Sequence, residues 1–224
     1  MNEKNLSLNA LLDLASLYSK EQLILPSKAL FGATDGKAVG TYVEHGLRDF
    51  IKAQGYVTSH GSSASGLDFP DLNIDLKVTS LKQPQSSCPF KFAKQKVYGL
   101  GYSLLVFVYN KIDIQAEETA RLDIKHIVYV SSEKTADYQL TKNLMELLSK
   151  GANRDDVFAL LADKNLPLDE IGLNNMSDQI MQEHPQQGYL TISNALQWRL
   201  QYSRVIEKAG LVDGIVSVLK GNSV

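Results

Sequence analysis

The hydrophobic pattern predicts an α/β fold: a central mixed sheet flanked by helices, followed by a helical C-terminal part. Three observations carry this. Residues 104–109 are continuously apolar, as expected of a central strand buried on both faces. Upstream, apolar residues recur at helical spacing. From residue 136 onward the pattern is again mostly helical, broken at Gly151, Pro167 and Pro185.

The elements follow in order. A first helix is predicted over about residues 6–23. Residues 27–35 form a loop ending in Thr34 and Asp35, either of which can cap a helix N-terminus. The second helix, about 37–54, buries Val39, Val43, Leu47, Phe50 and Ile51, and Gly40 on the same side leaves room for a second backbone. A Gly/Ser-rich loop, 61–66, leads into a short acidic hairpin and a strand over 74–79. Residues 83–87 read as a polar loop, 90–98 as a helix or turn ending at Gly99 and Gly101, and 124–130 as another strand. The chain of 224 residues is expected to be one domain, with its core over about 30–132 and the helical part over about 133–224.

Composition excludes several classes. At 44% hydrophobic and 21% charged the chain is ordinary globular protein, and no apolar run suits a membrane span. The single Cys88 rules out an internal disulfide. With no signal-peptide pattern at the N-terminus, this makes a cytoplasmic setting the expectation. His45, His60, His126 and His184 show no metal-ligand spacing. The phosphate-loop pattern G-x-x-x-x-G-K-[ST] is absent, so no nucleotide cofactor is expected.

The segment Asp68-Phe69-Pro70-Asp71-Leu72-Asn73-Ile74-Asp75-Leu76-Lys77 carries the chemistry. On a strand Asp75 and Lys77 share one face, and Ile74, Leu76 and Val78 take the other. Two carboxylates beside a lysine suit metal-assisted phosphodiester hydrolysis. The carboxylates hold a hard divalent cation. The cation offsets charge on the phosphate and generates hydroxide from water, and the lysine orients that water or steadies the phosphate. Glu44 lies on the second helix at the edge of its apolar stripe. Its ordinary reading is an ion pair with Arg48 at i,i+4; its functional reading is a third carboxylate.

Gly40-x-x-x-Glu44 followed by the Asp68 to Lys77 segment resembles the PD-(D/E)xK nuclease superfamily. Within it, the likeness is nearest to MutH-like mismatch-repair nickases and related type II restriction endonucleases. The resemblance implies a restriction-endonuclease-like core. It makes Asp68 and Asp75 metal ligands, Lys77 the catalytic lysine and Glu44 the helix-borne acid. It also implies one or two Mg²⁺ ions, double-stranded DNA as substrate, a 5'-phosphate product and, for a restriction enzyme of this size, a homodimer. Lys37 matches a lysine near the start of the family's helix, one position out of register. The triplet acid is Asp rather than Glu, and Asp71 competes with Asp68 for the first acidic position.

DNA contacts are expected in two further places. From Leu76 through Ile112 there is no acid but six lysines, among them Lys82, Lys91, Lys94 and Lys96, which suits a polyanion. Gln83, Gln85, Ser86 and Ser87 can donate to and accept from base edges, although such a loop is by default a solvated connection. A helix over about 193–209 would carry Asn194, Gln197, Gln201, Arg204 and Lys208 on one polar stripe. Ala195, Trp198, Tyr202, Val205 and Ile206 would form its buried side. The expectation is a type II restriction endonuclease. The alternatives are a methylation-directed repair nickase and a DNA-binding module with an inactive nuclease core.

Overall fold

The computed structural model describes residues 4–57, 66–88, 92–193 and 198–219. In chain order its elements are β1 (Lys4–Asn5), α1 (Leu8–Glu21), α2 (Gly36–Ala53), β2 (Tyr56–Val57), β3 (Ile74–Ser80), β4 (Gln85–Cys88), α3 (Gln95–Tyr98), β5 (Ser103–Ile114) and β6 (Thr119–Val130). There follow α4 (Tyr138–Ser149), α5 (Arg154–Asp163), α6 (Glu170–Gln182), β7 (Thr191–Ile192), β8 (Trp198–Gln201), α7 (Ser203–Lys208) and β9 (Ile215–Ser217). They fall into two compact units. Unit 1 is Met1–Pro84, Ser103–Val130 and Lys208–Val224; unit 2 is Gln85–Tyr102 and Ser131–Glu207.

Unit 1 is built on a four-stranded sheet of order β3-β5-β6-β9. β3 and β5 are parallel, while β5–β6 and β6–β9 are antiparallel, so the sheet is mixed, as the sequence predicts. Ser103 to Tyr109 are buried without interruption, which fits a strand with a neighbour on each side and cover on both faces. The strand runs on to Ile114, and its partner starts at Thr119 rather than 124. The ladder between them continues past a register shift at Val108/Tyr109 as far as the pair Ile114–Thr119.

The two N-terminal helices pack with this sheet. Ser7 caps α1, accepting from the Ala10 N–H at 3.2 Å. Of the two residues offered as the cap of α2, Asp35 fills the role, accepting from the Lys37 N–H at 3.0 Å. Leu11, Leu14 and Ala15 of α1 and Val39, Val43, Leu47 and Ile51 of α2 join Ile74, Leu105 and Phe107 in one core. The close approach expected at Gly40 is not there: a Cβ at Gly40 would meet nothing within 4 Å. It occurs at Gly46 instead, where a Cβ would collide with the Tyr18 hydroxyl of α1.

Unit 2 holds the helices α3 to α6 and most of α7. Asp137, Asn153 and Asp169 cap α4, α5 and α6, and Gly151 and Pro167 fall between helices, as the sequence predicts. Val97, Leu140, Leu144, Val157, Leu161 and Ile180 lie in their shared core. Unit 2 also contains a small antiparallel sheet of order β4-β8-β7, which changes two expectations. Residues 85–88 are a strand rather than loop. The helix expected over 193–209 reduces to α7, preceded by the strand β8; residues 194–197 lie outside those described. The C-terminal part therefore carries strands as well as helices. Among the described residues no helix is long and apolar enough to cross a membrane.

Candidate active site

The acidic segment is a tight hairpin. Phe69 and Ile74 exchange backbone hydrogen bonds of 2.9 and 3.1 Å. Pro70–Leu72 forms one 3-10 turn between them. Asn73 closes the turn at φ 54°, a left-handed conformation that Asn tolerates better than most residues. Phe69 is buried and anchors the hairpin in the unit 1 core.

This places Asp68 beside the outer edge of β3. Because β3 is the edge strand, the Leu76 N–H is left for a side chain, and it donates to Asp68 Oδ2 at 2.8 Å. Asp75 and Lys77 share a face as expected, with Lys77 Nζ 2.6 Å from Asp75 Oδ2. Ile74 and Leu76 take the other face and are buried.

Glu44 reaches the same place from α2, and Arg48 is the link. One guanidinium nitrogen, Nη2, lies 3.2 Å from Glu44 Oε1 and 3.1 Å from Asp68 Oδ1. It also donates to the Asp68 backbone carbonyl at 3.1 Å. The i,i+4 pair with Arg48 is therefore present, and it is also what ties Glu44 to the hairpin acid. Asp71, by contrast, lies exposed on the turn. Glu44, Asp68, Asp75 and Lys77 thus form one cluster on α2, the hairpin and β3, with Arg48 as a fifth member.

Crowding shifts the protonation of two of these carboxylates. Burial pushes Asp75 up to about 7; Lys77 opposes the rise and a hydrogen bond with Asp68 adds to it. Burial also raises Glu44, helped by the charge of Asp68 and a hydrogen bond to it, while Arg48 and His45 pull the other way. Among the described residues no three His, Cys, Asp or Glu side chains stand spread as a ready-made metal cage. Arg48 and the Leu76 N–H hold the oxygens of Asp68, and Lys77 holds Asp75 Oδ2. The donor chemistry nevertheless fits a hard dication. All the donors are oxygens, and two of the acids have raised pKa values that a nearby dication would bring down.

A family model of the type II restriction enzyme NspV matches residues 5–217. The chain belongs to this family. The type II restriction enzyme NspV of Nostoc sp. is 54% identical over 217 residues, covering 97% of this chain and 98% of that protein. No solved structure matches significantly.

The other residues that the sequence offers for DNA are scattered over this NspV-family chain. Lys37 is exposed in the first turn of α2, and Lys82 and Gln83 are exposed just after β3. Ser87 is exposed and Gln85 half-buried on β4, but the Ser86 hydroxyl is hydrogen-bonded to that of the buried Tyr202, so Ser86 points inward. Gln201 is exposed on β8. Arg204 stacks over the Tyr138 ring at 3.8 Å and donates to Thr191 Oγ1 at 3.0 Å, so it holds unit 2 together rather than facing solvent freely. Lys91 and Gln197 lie outside the described residues. Lys94 is exposed, but Lys96 is buried at 5% exposure.

That burial corrects the expectation of a phosphate contact at Lys96. Burial lowers the Lys96 pKa, and the opposing charge of Asp137 raises it. Asp137 in turn caps α4 and accepts the Ile192 N–H at 2.8 Å. Lys96→Ala is expected to destabilise the protein by about 1–3 kcal/mol, because it removes a buried side chain and leaves its space unfilled. It should leave the salt dependence of DNA binding unchanged. Lys82→Ala or Lys94→Ala should leave stability unchanged and, where the lysine meets a phosphate, flatten the log-log salt slope by about 0.9. Melting curves and a salt titration separate the two behaviours. A flattened slope with normal stability for Lys96→Ala would contradict its burial.

Arg48 is the member of the cluster that sequence reasoning leaves as a mere ion-pair partner. The i,i+4 spacing to Glu44 is the visible signal; its second partner lies 20 residues away.

Proposed function

We propose that this chain is a type II restriction endonuclease that hydrolyses double-stranded DNA at a specific site with Mg²⁺ and leaves a 5'-phosphate. Membership of the NspV family over nearly the whole chain supports the restriction role over a repair nickase. The observation that carries the chemistry is the convergence of Glu44, Asp68, Asp75 and Lys77, which supports a PD-(D/E)xK reading. Asp68, Asp75 and Glu44 would hold the cation. When bound, it supplies a positive field at the scissile phosphate and promotes ionisation of water. Lys77, paired with Asp75 at 2.6 Å, would orient the attacking water or steady the phosphate. Arg48 holds the helix acid against the hairpin acid, so that the donors are assembled before substrate arrives. A homodimer cutting both strands completes the proposal.

Digestion of unmethylated DNA with Mg²⁺ or with EDTA, followed by sequencing of the ends, tests this. Discrete fragments sharing one site and bearing 5'-phosphates are expected with Mg²⁺ only. Absence of cutting, or cutting without a shared site, would remove the proposal.

The raised Asp75 pKa gives a separate test on the metal-free protein. A carboxyl whose folded pKa lies above its unfolded value of about 3.9 stabilises fully below that value. The contribution is then lost as pH rises to about 7. In EDTA, Asp75→Asn should therefore gain melting temperature relative to the unchanged protein as pH rises from about 4 to about 8. A difference that stays flat with pH would contradict the shift.

A further inference from the structure

We propose that the polar face of the β4-β8-β7 sheet reads base edges in the DNA major groove, with glutamines taking adenine and Arg199 taking guanine. The inference deepens the proposed endonuclease function and rests on it.

Register carries the argument. In this antiparallel sheet Gln85 pairs with Gln201, Ser87 with Arg199, and Thr191 with Gln201. Residues directly opposite one another point to the same side. One face therefore gathers Gln85, Ser87, Thr191, Arg199 and Gln201. The other face turns inward: Leu200 and Ile192 are buried, and Ser86 is bonded to the buried Tyr202. Two stretches more than a hundred residues apart in sequence thus place their glutamines side by side. Ser87, Arg199 and Gln201 are exposed.

The face suits duplex DNA in charge, size and hydrogen bonding. Arg199 is a cation, and none of the five residues gathered here is an acid, which complements a polyanion. β4 and β8 carry Gln85, Ser87, Arg199 and Gln201 as an antiparallel pair, the ribbon that the major groove admits, with the two-residue β7 flanking β8. Residues two apart on a strand, such as Arg199 and Gln201, are about 6.8 Å apart, close to two base-pair rises. Gln presents a donor and an acceptor to adenine N7 and N6, and Arg presents two donors to guanine N7 and O6. A restriction enzyme must discriminate between bases. Among the described residues this face combines amide and guanidinium groups on paired strands rather than a loop.

The experiment starts from the natural sequence. The unchanged protein cuts a randomised duplex library with Mg²⁺, and the ends define its preferred site. Binding to that duplex and to each one-base variant is then measured in Ca²⁺ for the unchanged protein and for Gln85→Ala, Gln201→Ala, Gln201→Met and Arg199→Lys. Discrimination is expected to fall roughly 5- to 150-fold at an adenine for the glutamine variants and at a guanine for Arg199→Lys. Gln201→Met keeps the side-chain length and should match Gln201→Ala. Replacing the same purines by their 7-deaza forms removes the N7 acceptor from the DNA and should weaken binding by the unchanged protein. This arm does not depend on any variant folding.

Site-specific cutting with undiminished discrimination in all the variants, or full affinity for the 7-deaza duplex, would overturn the inference and leave the endonuclease reading intact. Failure of the unchanged protein to cut at a defined site would overturn both.

Discussion

Asp75→Ala and Lys77→Ala proteins are expected to bind DNA without cutting it. Asp75 and Lys77 form the most buried ion pair of the cluster, at 2.6 Å. Asp75→Ala removes a carboxylate from an all-oxygen donor set, and Lys77→Ala removes the cation that opposes the rise in the Asp75 pKa. Either change should lower the cleavage rate by at least about 10²–10⁴-fold, the range attributed to a single well-placed acid–base group. Binding should persist, because phosphate contacts supply most of the affinity for nucleic acid. Melting curves guard against a trivial loss of fold. Full Mg²⁺-dependent cutting by either protein would remove this cluster from the chemistry.

Asp68→Asn should be as inactive as Asp75→Ala, whereas Asp71→Asn should keep most of its activity. Both changes preserve size and remove one charge, so a comparison of the two reports position alone. Asp68 is tied to Arg48 and to the Leu76 N–H at 2.8 Å, while Asp71 lies exposed on the turn. In Asp68→Asn an amide replaces a carboxylate between those two donors, so at least one of them loses an acceptor. Steady-state cleavage of a single-site duplex decides the matter. An active Asp68→Asn protein beside an inactive Asp71→Asn protein would shift the register of the site by three residues.

The local parts of this site are visible in the sequence and the long-range parts are hidden. Asp68, Asp75 and Lys77 fall in one hairpin of ten residues, so their spacing states their geometry once the strand is recognised. Asp35 and the stripe Val39, Val43, Leu47, Ile51 likewise define α2 within a single window. The bond from Arg48 to Asp68 joins residues 20 apart in sequence and cannot be read from periodicity. β8 is hidden for a sharper reason. Trp198, Tyr202, Val205 and Ile206 recur at steps of three and four, which is a helical period, and Gln201 and Arg204 extend it. What makes Trp198–Gln201 a strand is the pairing of Gln201 with Gln85, a contact with no local trace. Strand preference depends on packing and cross-strand neighbours, so tertiary pairing decides so short a segment. Lys96 departs from its neighbours in the basic run because a run of charge says nothing of which member turns inward to meet Asp137.

The division of the sheet along the chain bears on how the protein is made. The chain leaves unit 1 at Pro84, returns at Ser103, leaves again at Val130 and returns at Lys208. The fourth strand of the sheet, β9, therefore arrives last. It pairs Ser217 with Val128, Val216 with Tyr129 and Ile215 with Val130. Every side chain of the acidic cluster has been synthesised about 140 residues before the sheet beneath it can be finished. At about 5–20 residues per second that interval is roughly 7–30 s. The acids and the lysine sit on α2, the hairpin and β3, at the edge of the sheet opposite β9. The four strands are thus made in the order β3, β5, β6, β9, which is also their order across the sheet, so the sheet can grow strand by strand from the edge that carries the cluster toward the far edge.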